Sequence, residues 1–291
     1  MKTFNAITSI TQRLFFAVGL IGTVFAVSCT TSDLEPVPQT IDDVNVAADL
    51  VASADFEEVD DITANMMALS EASEGGRIDG GGHDDRCSCA EVTHDKENQI
   101  ITIDFGDGCT GPNGITRSGQ IIIQYDGRRF VPGSSWVTTF KDFYVNDRHI
   151  EGTRTVTNIS EDFFTEPTFH IMLEGGKVTW PDNTYATREA DKVRVWKRAA
   201  NPLLDEIHIL AESITAGVNR EEIKYATFVK EDLVFKRACR GAKIGRIPVA
   251  GVKEVTYGDR MFTIDFGDGE CDTIVTITSG DETKTIDLSD R

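Results

Sequence analysis

The sequence predicts a mainly β domain, an antiparallel meander forming a sandwich or a strongly curved sheet, with a short N-terminal helical segment ahead of it. Three observations lead there. From Cys87 onward Thr, Val, Ile and Phe alternate with polar residues, as in Thr102-Ile103-Asp104-Phe105, Ile121-Ile122-Ile123-Gln124-Tyr125 and Lys192-Val193-Arg194-Val195-Trp196. Turn residues interrupt the alternation at 95–98, 146–148, 181–183, 257–260 and 279–282, which gives roughly ten to thirteen strands. Finally, one strand-and-turn unit occurs twice. Ile101-Thr102-Ile103-Asp104-Phe105-Gly106-Asp107-Gly108-Cys109 returns as Phe262-Thr263-Ile264-Asp265-Phe266-Gly267-Asp268-Gly269-Glu270-Cys271.

The N-terminus has the parts of a secretory signal. Lys2 and Arg13 are the only charges before position 33, and an apolar run from Leu14 to Val27 follows. It is short for a bilayer span, which needs about 20 residues. It ends in Ala26-Val27-Ser28 before Cys29, which resembles the lipobox of bacterial lipoproteins except at Ala26, where Leu is usual. Residues 1–28 are therefore read as a lipoprotein signal peptide and Cys29 as the lipidated first residue of the mature chain. Acyl chains on one cysteine anchor a protein stably, at about 0.8 kcal/mol per buried methylene.

Residues 29–40 read as a tether, because Pro36, Pro38 and polar neighbours oppose a helix. Residues 41–73 form an acidic helical segment. Thr40 and Asp43 can make a capping box, and Ile41, Val44, Ala48 and Val51 fall on one face, as do Val59, Ile62, Met66 and Leu69. Asp55, Glu57 and Glu58 interrupt the stripe, so two short helices or one broken one are expected. Gly75, Gly76 and Gly80–Gly82 mark 74–86 as a flexible linker.

The net charge is −19. Loss of 1–28 removes two cations and no anion, leaving −21, of which −13 lies in residues 29–86. Such a chain is a poor nucleic-acid binder, since that affinity rests on Lys and Arg displacing counterions. Anionic lipid surfaces repel it too. The acidity reads most simply as a solvated stalk.

Residues 87–291 form the β domain. In both copies of the repeat the apolar residues alternate identically, Ile101, Ile103 and Phe105 against Phe262, Ile264 and Phe266. Each strand thus buries one face, and the Gly-Asp-Gly supplies a tight turn. A cysteine follows each turn and another precedes each hairpin. This pairs Cys239 with Cys271, and Cys109 with Cys89 or Cys87, leaving one thiol free. Exported proteins use cysteine in this way. Zinc is the competing reading, but only one closely spaced cysteine pair exists.

These features resemble a family of uncharacterised exported lipoproteins of Bacteroidota with paired Cys/DFGDG-Cys hairpins. The matching stretches are Ile101–Arg117, Phe143–Asn158 and Phe262–Thr278. The resemblance implies export and outer-membrane residence, periplasmic or surface-facing, and no particular activity. Asp33 and Glu35 soon after Cys29 resemble a surface-export tether. Asp-Phe-Gly-Asp-Gly also resembles a turn of PKD-type β-sandwich modules.

Candidate chemistry is sparse. Asp104, Asp107, Asp265 and Asp268 can supply oxygens to Ca²⁺, but turn aspartates that bond their own backbone explain the same pattern. His83, His94, His149, His170 and His208 lack metal-ligand spacing, and no nucleophile elbow, zincin pair or phosphate loop is present. Asp-Phe-Gly stands without the other kinase motifs. Trp136, Phe140, Phe143, Tyr144, Trp180, Tyr185 and Trp196 read chiefly as core, with Phe143 on the strand parity opposite to Trp136 and Phe140. Thr153, Thr155 and Thr157 read as a solvated ladder.

The expected function is a non-catalytic binding or scaffolding domain at the cell envelope, with no catalytic residues, metal or cofactor assigned. Its partners are the membrane, through the lipid, and an envelope protein or glycan. Two alternatives stay open. One is a lipid or lipoprotein carrier with an apolar cavity, the other an enzyme acting on polysaccharide.

Overall fold

The structure is a computed structural model that describes residues 59, 62–71, 87–111, 114–163, 166–239 and 247–288. The expected signal peptide, Cys29, the tether and the Gly-rich linker lie outside these residues, as does most of 41–61. The chain divides into Met1–Pro38 and Gln39–Arg291; all that follows concerns the second unit.

Residues 62–71 form a helix, α1. Of the expected stripe, Val59, Ile62 and Met66 are buried and Leu69 is partly so, with Met67 added. Among the described residues the other regular elements are two 3₁₀ turns, Pro202–Leu204 and Arg237–Cys239, and the strands β1 (Glu91–Asp95), β2 (Ile100–Asp104), β3 (Cys109–Thr110), β4 (Thr116–Asp126), β5 (Ser135–Val145), β6 (Arg148–Asn158), β7 (Thr168–Thr179), β8 (Tyr185–Lys197), β9 (Glu206–Ile209), β10 (Ile214–Val218), β11 (Lys224–Lys236), β12 (Ala250–Tyr257), β13 (Arg260–Asp268), β14 (Ile274–Ser279) and β15 (Glu282–Asp287).

All fifteen strands belong to one antiparallel sheet in sequential order. The count exceeds the ten to thirteen expected, partly because two-residue β3 is hard to see in a sequence. Another reason is that β9 and β10 share one slot, both pairing β8 and β11. The five expected turns all fall between or at the ends of consecutive strands.

The register defines an inner face. Val92, Ile103, Ile121 and Phe140 pair across β1, β2, β4 and β5. Leu173, Ala190, Thr215, Thr227, Val255 and Phe262 continue the same face from β7 to β13. Two apolar clusters sit on it. The first joins α1 to strands β1–β8, and the second is built from β11–β15. Between them the face thins to Ala190, Thr215 and Thr227, side chains too small to knit the clusters together.

One expectation fails here. Phe143 is fully buried in the same cluster as Trp136, and its ring stacks on Phe140 at 5.5 Å. The cause is a β-bulge between β4 and β5, which shifts the parity after Lys141. Asp142 takes φ 46° opposite Gly119, φ 77°. A Cβ at Gly119 would lie 1.9 Å from the Asp142 carbonyl oxygen, so only glycine fits.

The sulfurs of Cys89 and Cys109, and of Cys239 and Cys271, are joined, with Cα–Cα distances of 5.8 and 5.2 Å. Cys87 is the buried thiol left over. Of the two partners left open for Cys109, the structure selects Cys89.

Candidate functional site

The middle of the inner face is cationic. Arg154 in β6, Arg188, Lys192 and Arg194 in β8, and Lys253 in β12 all have the inner register: Arg154 pairs Thr138 and Leu173, Arg188 pairs Gly217, Lys192 pairs Ile171, Arg194 pairs Phe169 and Ile209, and Lys253 pairs Ile264. The strand carboxylates Glu151, Glu174, Glu189, Asp191 and Glu254 take the outer register, beside residues such as Thr153 and Met172. The alternation of a strand does this without special geometry, because adjacent residues point to opposite faces. Arg154, Arg188 and Lys253 are only 6, 5 and 6 % exposed. Buried cations are costly unless an anion meets them.

One end of this band is an arginine–aromatic cluster. The loop between β4 and β5 holds Arg129 and Phe130, and Asn158 Nδ2 and Ser134 Oγ pin it by donating to the Arg129 and Arg128 carbonyls. The guanidinium carbons of Arg129 and Arg198 lie 4.4 and 4.6 Å from the Phe130 ring centroid. Arg198 also lies 4.9 Å from Trp196, and Arg194 5.7 Å from Phe169. Phe130 contacts both Trp196 and Phe169. Trp196 is oriented by its indole N–H, which donates to Asp205 at 3.1 Å. Flat guanidiniums against aromatic faces keep edge N–H groups available for planar anions.

α1 meets this cluster from the acidic side. Glu71 accepts from the Arg129 amide, and an Arg129 guanidinium N–H donates to the Ala64 carbonyl at 2.8 Å. Burial pulls the Arg129 pKa below its usual value, Glu71 opposes that, and the neighbouring Arg194 and Arg198 charges add to it. Sequence reasoning missed this cluster. It showed the aromatics and the Lys-Val-Arg-Val-Trp strand but not that Arg129, some 65 positions upstream, joins them.

The residues singled out from sequence do not converge. Asp104 and Asp265 each accept from a backbone amide two residues on, Gly106 and Gly267, at 2.8 Å. Among the described residues no three His, Cys, Asp or Glu side chains gather as a metal-holding group. The four described histidines lie on different strands: His94 with Tyr125 at 2.6 Å, His149 stacked on Tyr144, His170 with Asp191 at 2.7 Å and His208 with Glu206 at 2.9 Å. Trp136 is core, while Tyr144 and Tyr185 are exposed. The Thr153, Thr155 and Thr157 ladder stands on the outer face, each residue half-buried.

Comparison with known proteins adds no relative: no family profile, curated protein or solved structure matches this chain.

Proposed function

We propose that this chain is an exported cell-envelope lipoprotein, anchored through Cys29, whose sheet is a non-catalytic binding or scaffolding surface. The anchor is supported by the cationic, apolar and small-residue order of residues 1–28 ahead of Cys29. The two disulfides fit an oxidising compartment. The observation that carries the surface reading is the row of Arg154, Arg188, Lys192, Arg194 and Lys253 on the inner register, with the guanidiniums of Arg129 and Arg198 against Phe130. That arrangement docks anionic groups. It offers a place to bind, and the histidines and carboxylates that chemistry would use are spread over separate strands.

Metabolic labelling with a clickable palmitate tests the anchor. The wild-type chain should take the label and sediment with membranes, and Cys29→Ala should lose both. An unlabelled wild type, or a labelled Cys29→Ala variant, sinks the lipoprotein reading. The binding reading predicts that Arg198→Glu, at an exposed position, leaves the melting temperature within about 2 °C and abolishes association with the envelope component that the wild type retains.

A further inference from the structure

We infer that the arginine–aromatic cluster around Phe130 is a binding site for a phosphate monoester. This deepens the reading of the chain as an anion-docking protein and rests on it. The first argument is charge. Arg129 and Arg198 hold their guanidinium carbons 4.4 and 4.6 Å from the centroid of one ring, so the two carbons are no farther apart than those distances laid end to end. Arg194 lies 5.7 Å from the Phe169 ring that packs on Phe130. The charges of Arg194 and Arg198 both act on Arg129, and one carboxylate, Glu71, opposes them. Three guanidiniums against one carboxylate leave the cluster at +2. A phosphate monoester carries about −1.5 to −2 near neutral pH and matches that charge, whereas a carboxylate or a phosphodiester brings half as much.

The second argument is shape. A guanidinium fork that grips a phosphate places its carbon about 4 Å from the phosphorus, so two forks bracket one phosphate when their carbons are up to about 8 Å apart. The shared Phe130 ring holds Arg129 and Arg198 close enough for that. The monoester has three strong acceptor oxygens, one for each arginine. The arginines divide the work. Arg129 is the fixed cation, its guanidinium donating to the Ala64 carbonyl at 2.8 Å. Arg194 is half-buried and Arg198 is exposed, so Arg198 is the arm that meets the ligand first.

The third argument is preorganisation. Backbone bonds stitch the loops at this end of the sheet together: Gly133 donates to the Asn158 carbonyl at 2.8 Å, Asn158 to the Ser134 carbonyl at 2.8 Å and Trp196 to the Pro167 carbonyl at 2.9 Å. Asp205, in the loop that Arg198 opens, is committed elsewhere. It accepts from the Trp196 indole at 3.1 Å and the Ala199 amide at 2.8 Å, and faces Arg237 at 3.9 Å. The cluster is thus held ready, and an anion binds it with little further ordering. Leu203 and Leu204 in the same loop are 63 and 58 % exposed, so an apolar group borne by the phosphate has a surface to lie on.

The test is calorimetry and ³¹P NMR on the full chain in a non-ionic detergent, with phenyl phosphate as the probe. The wild type should bind it at least about tenfold more tightly than benzoate or diphenyl phosphate, which carry a single charge. The second pKa of the bound phosphate should fall below its free value of about 6, because guanidiniums favour the dianion. Arg194→Gln and Arg198→Gln should each weaken binding about tenfold or more at an unchanged melting temperature, and Lys177→Gln, on the outer face, should leave it as it is. No binding, equal affinity for benzoate, an unshifted phosphate pKa or an Arg198→Gln variant that binds normally overturns the proposal. Should a variant misfold, the preference of the wild type for phenyl phosphate over benzoate still decides. Phosphatidic acid in the micelles separates the sources of the monoester, and both upholding outcomes are distinct: tighter binding than phenyl phosphate assigns a lipid headgroup, equal or weaker binding a soluble molecule. If the wild type holds an envelope component through Arg198 while phenyl phosphate neither binds nor displaces it, this inference fails and the anion-docking reading stands. If phenyl phosphate binds as expected but Arg198→Glu keeps the envelope component, the docking reading fails and the phosphate site stands.

Discussion

The two copies of the Asp-Phe-Gly-Asp-Gly unit share a sequence and a local hydrogen bond, yet they end differently. In the first, β2 stops at Asp104, and the chain turns through Gly106 (φ 58°) into β3. In the second, β13 runs on to Asp268, which pairs Ala250 in β12 across a bulge. The aspartate-to-glycine bond is 2.8 Å in both. What differs is the neighbour. β4 receives the first copy through Gly119, which bonds Phe105 and Gly106, whereas β12 pairs the second copy out to Asp268, its last strand residue. A short motif sets its own turn bond, and the strand beside it decides whether that bond ends the strand.

The copies also differ in backing. The first packs into a cluster that includes α1, the second into one made by strands alone. Truncating the matched phenylalanines is the strongest way to probe this. Phe105→Ala and Phe266→Ala should each cost about 3–5 kcal/mol by chemical denaturation, both rings being almost wholly buried. A common unfolding transition for both variants would make the sheet one cooperative unit. Two transitions, with each variant shifting only one, would make the thin line at Ala190, Thr215 and Thr227 a real boundary.

Removing the disulfides should come next in size. Cys89–Cys109 spans 20 residues and Cys239–Cys271 spans 32. The chain-entropy account then predicts losses of about 3 and about 4 kcal/mol for Cys109→Ser and Cys271→Ser. A Cys109→Ser loss near zero would mean that the loop is already ordered without the bond.

The turn aspartates separate the copies more finely. Asp104 also accepts from Gln120 Nε2 at 2.7 Å. Asp104→Ala should therefore cost about 1 kcal/mol more than Asp265→Ala, each lost bond being worth roughly that much. Equal effects would show that the Gln120 contact contributes nothing.

The smallest contrast is in pH. His94 pairs Ile101, and the matched position in the second copy is Val255, which pairs Phe262. Burial holds the His94 pKa below its ordinary value, with the Lys96 charge adding to this. A lowered folded pKa means that the unfolded chain binds the proton more readily. Stability is thus full above the unfolded histidine range and declines as pH falls through it toward the folded pKa. His94→Phe should flatten that acid-side slope relative to the wild type, and an unchanged slope would assign it to other groups.

Much of the β domain is readable residue by residue, because strand alternation, turn chemistry and the Cys-hairpin-Cys repeat are local signals. The face of Phe143 is not. Its parity depends on Gly119, more than twenty residues away, and on a bulge that exists only once β4 and β5 are side by side. The candidate site was less legible still. Lys192, Arg194 and Trp196 look like an ordinary alternating strand, and only the pairing of β8 with β7 and β9 shows that the cations share a face with the core.

By itself, then, the sequence determines the class of the domain, the turns that punctuate it, α1 and the cysteines that bracket each hairpin, since each rests on interactions within a few residues or on one repeated pattern. The tertiary structure alone decides which strand continues past a turn, which partner Cys109 takes and which side of the sheet carries the arginines of β6 and β8. Those outcomes depend on register, and register is a property of two strands rather than one.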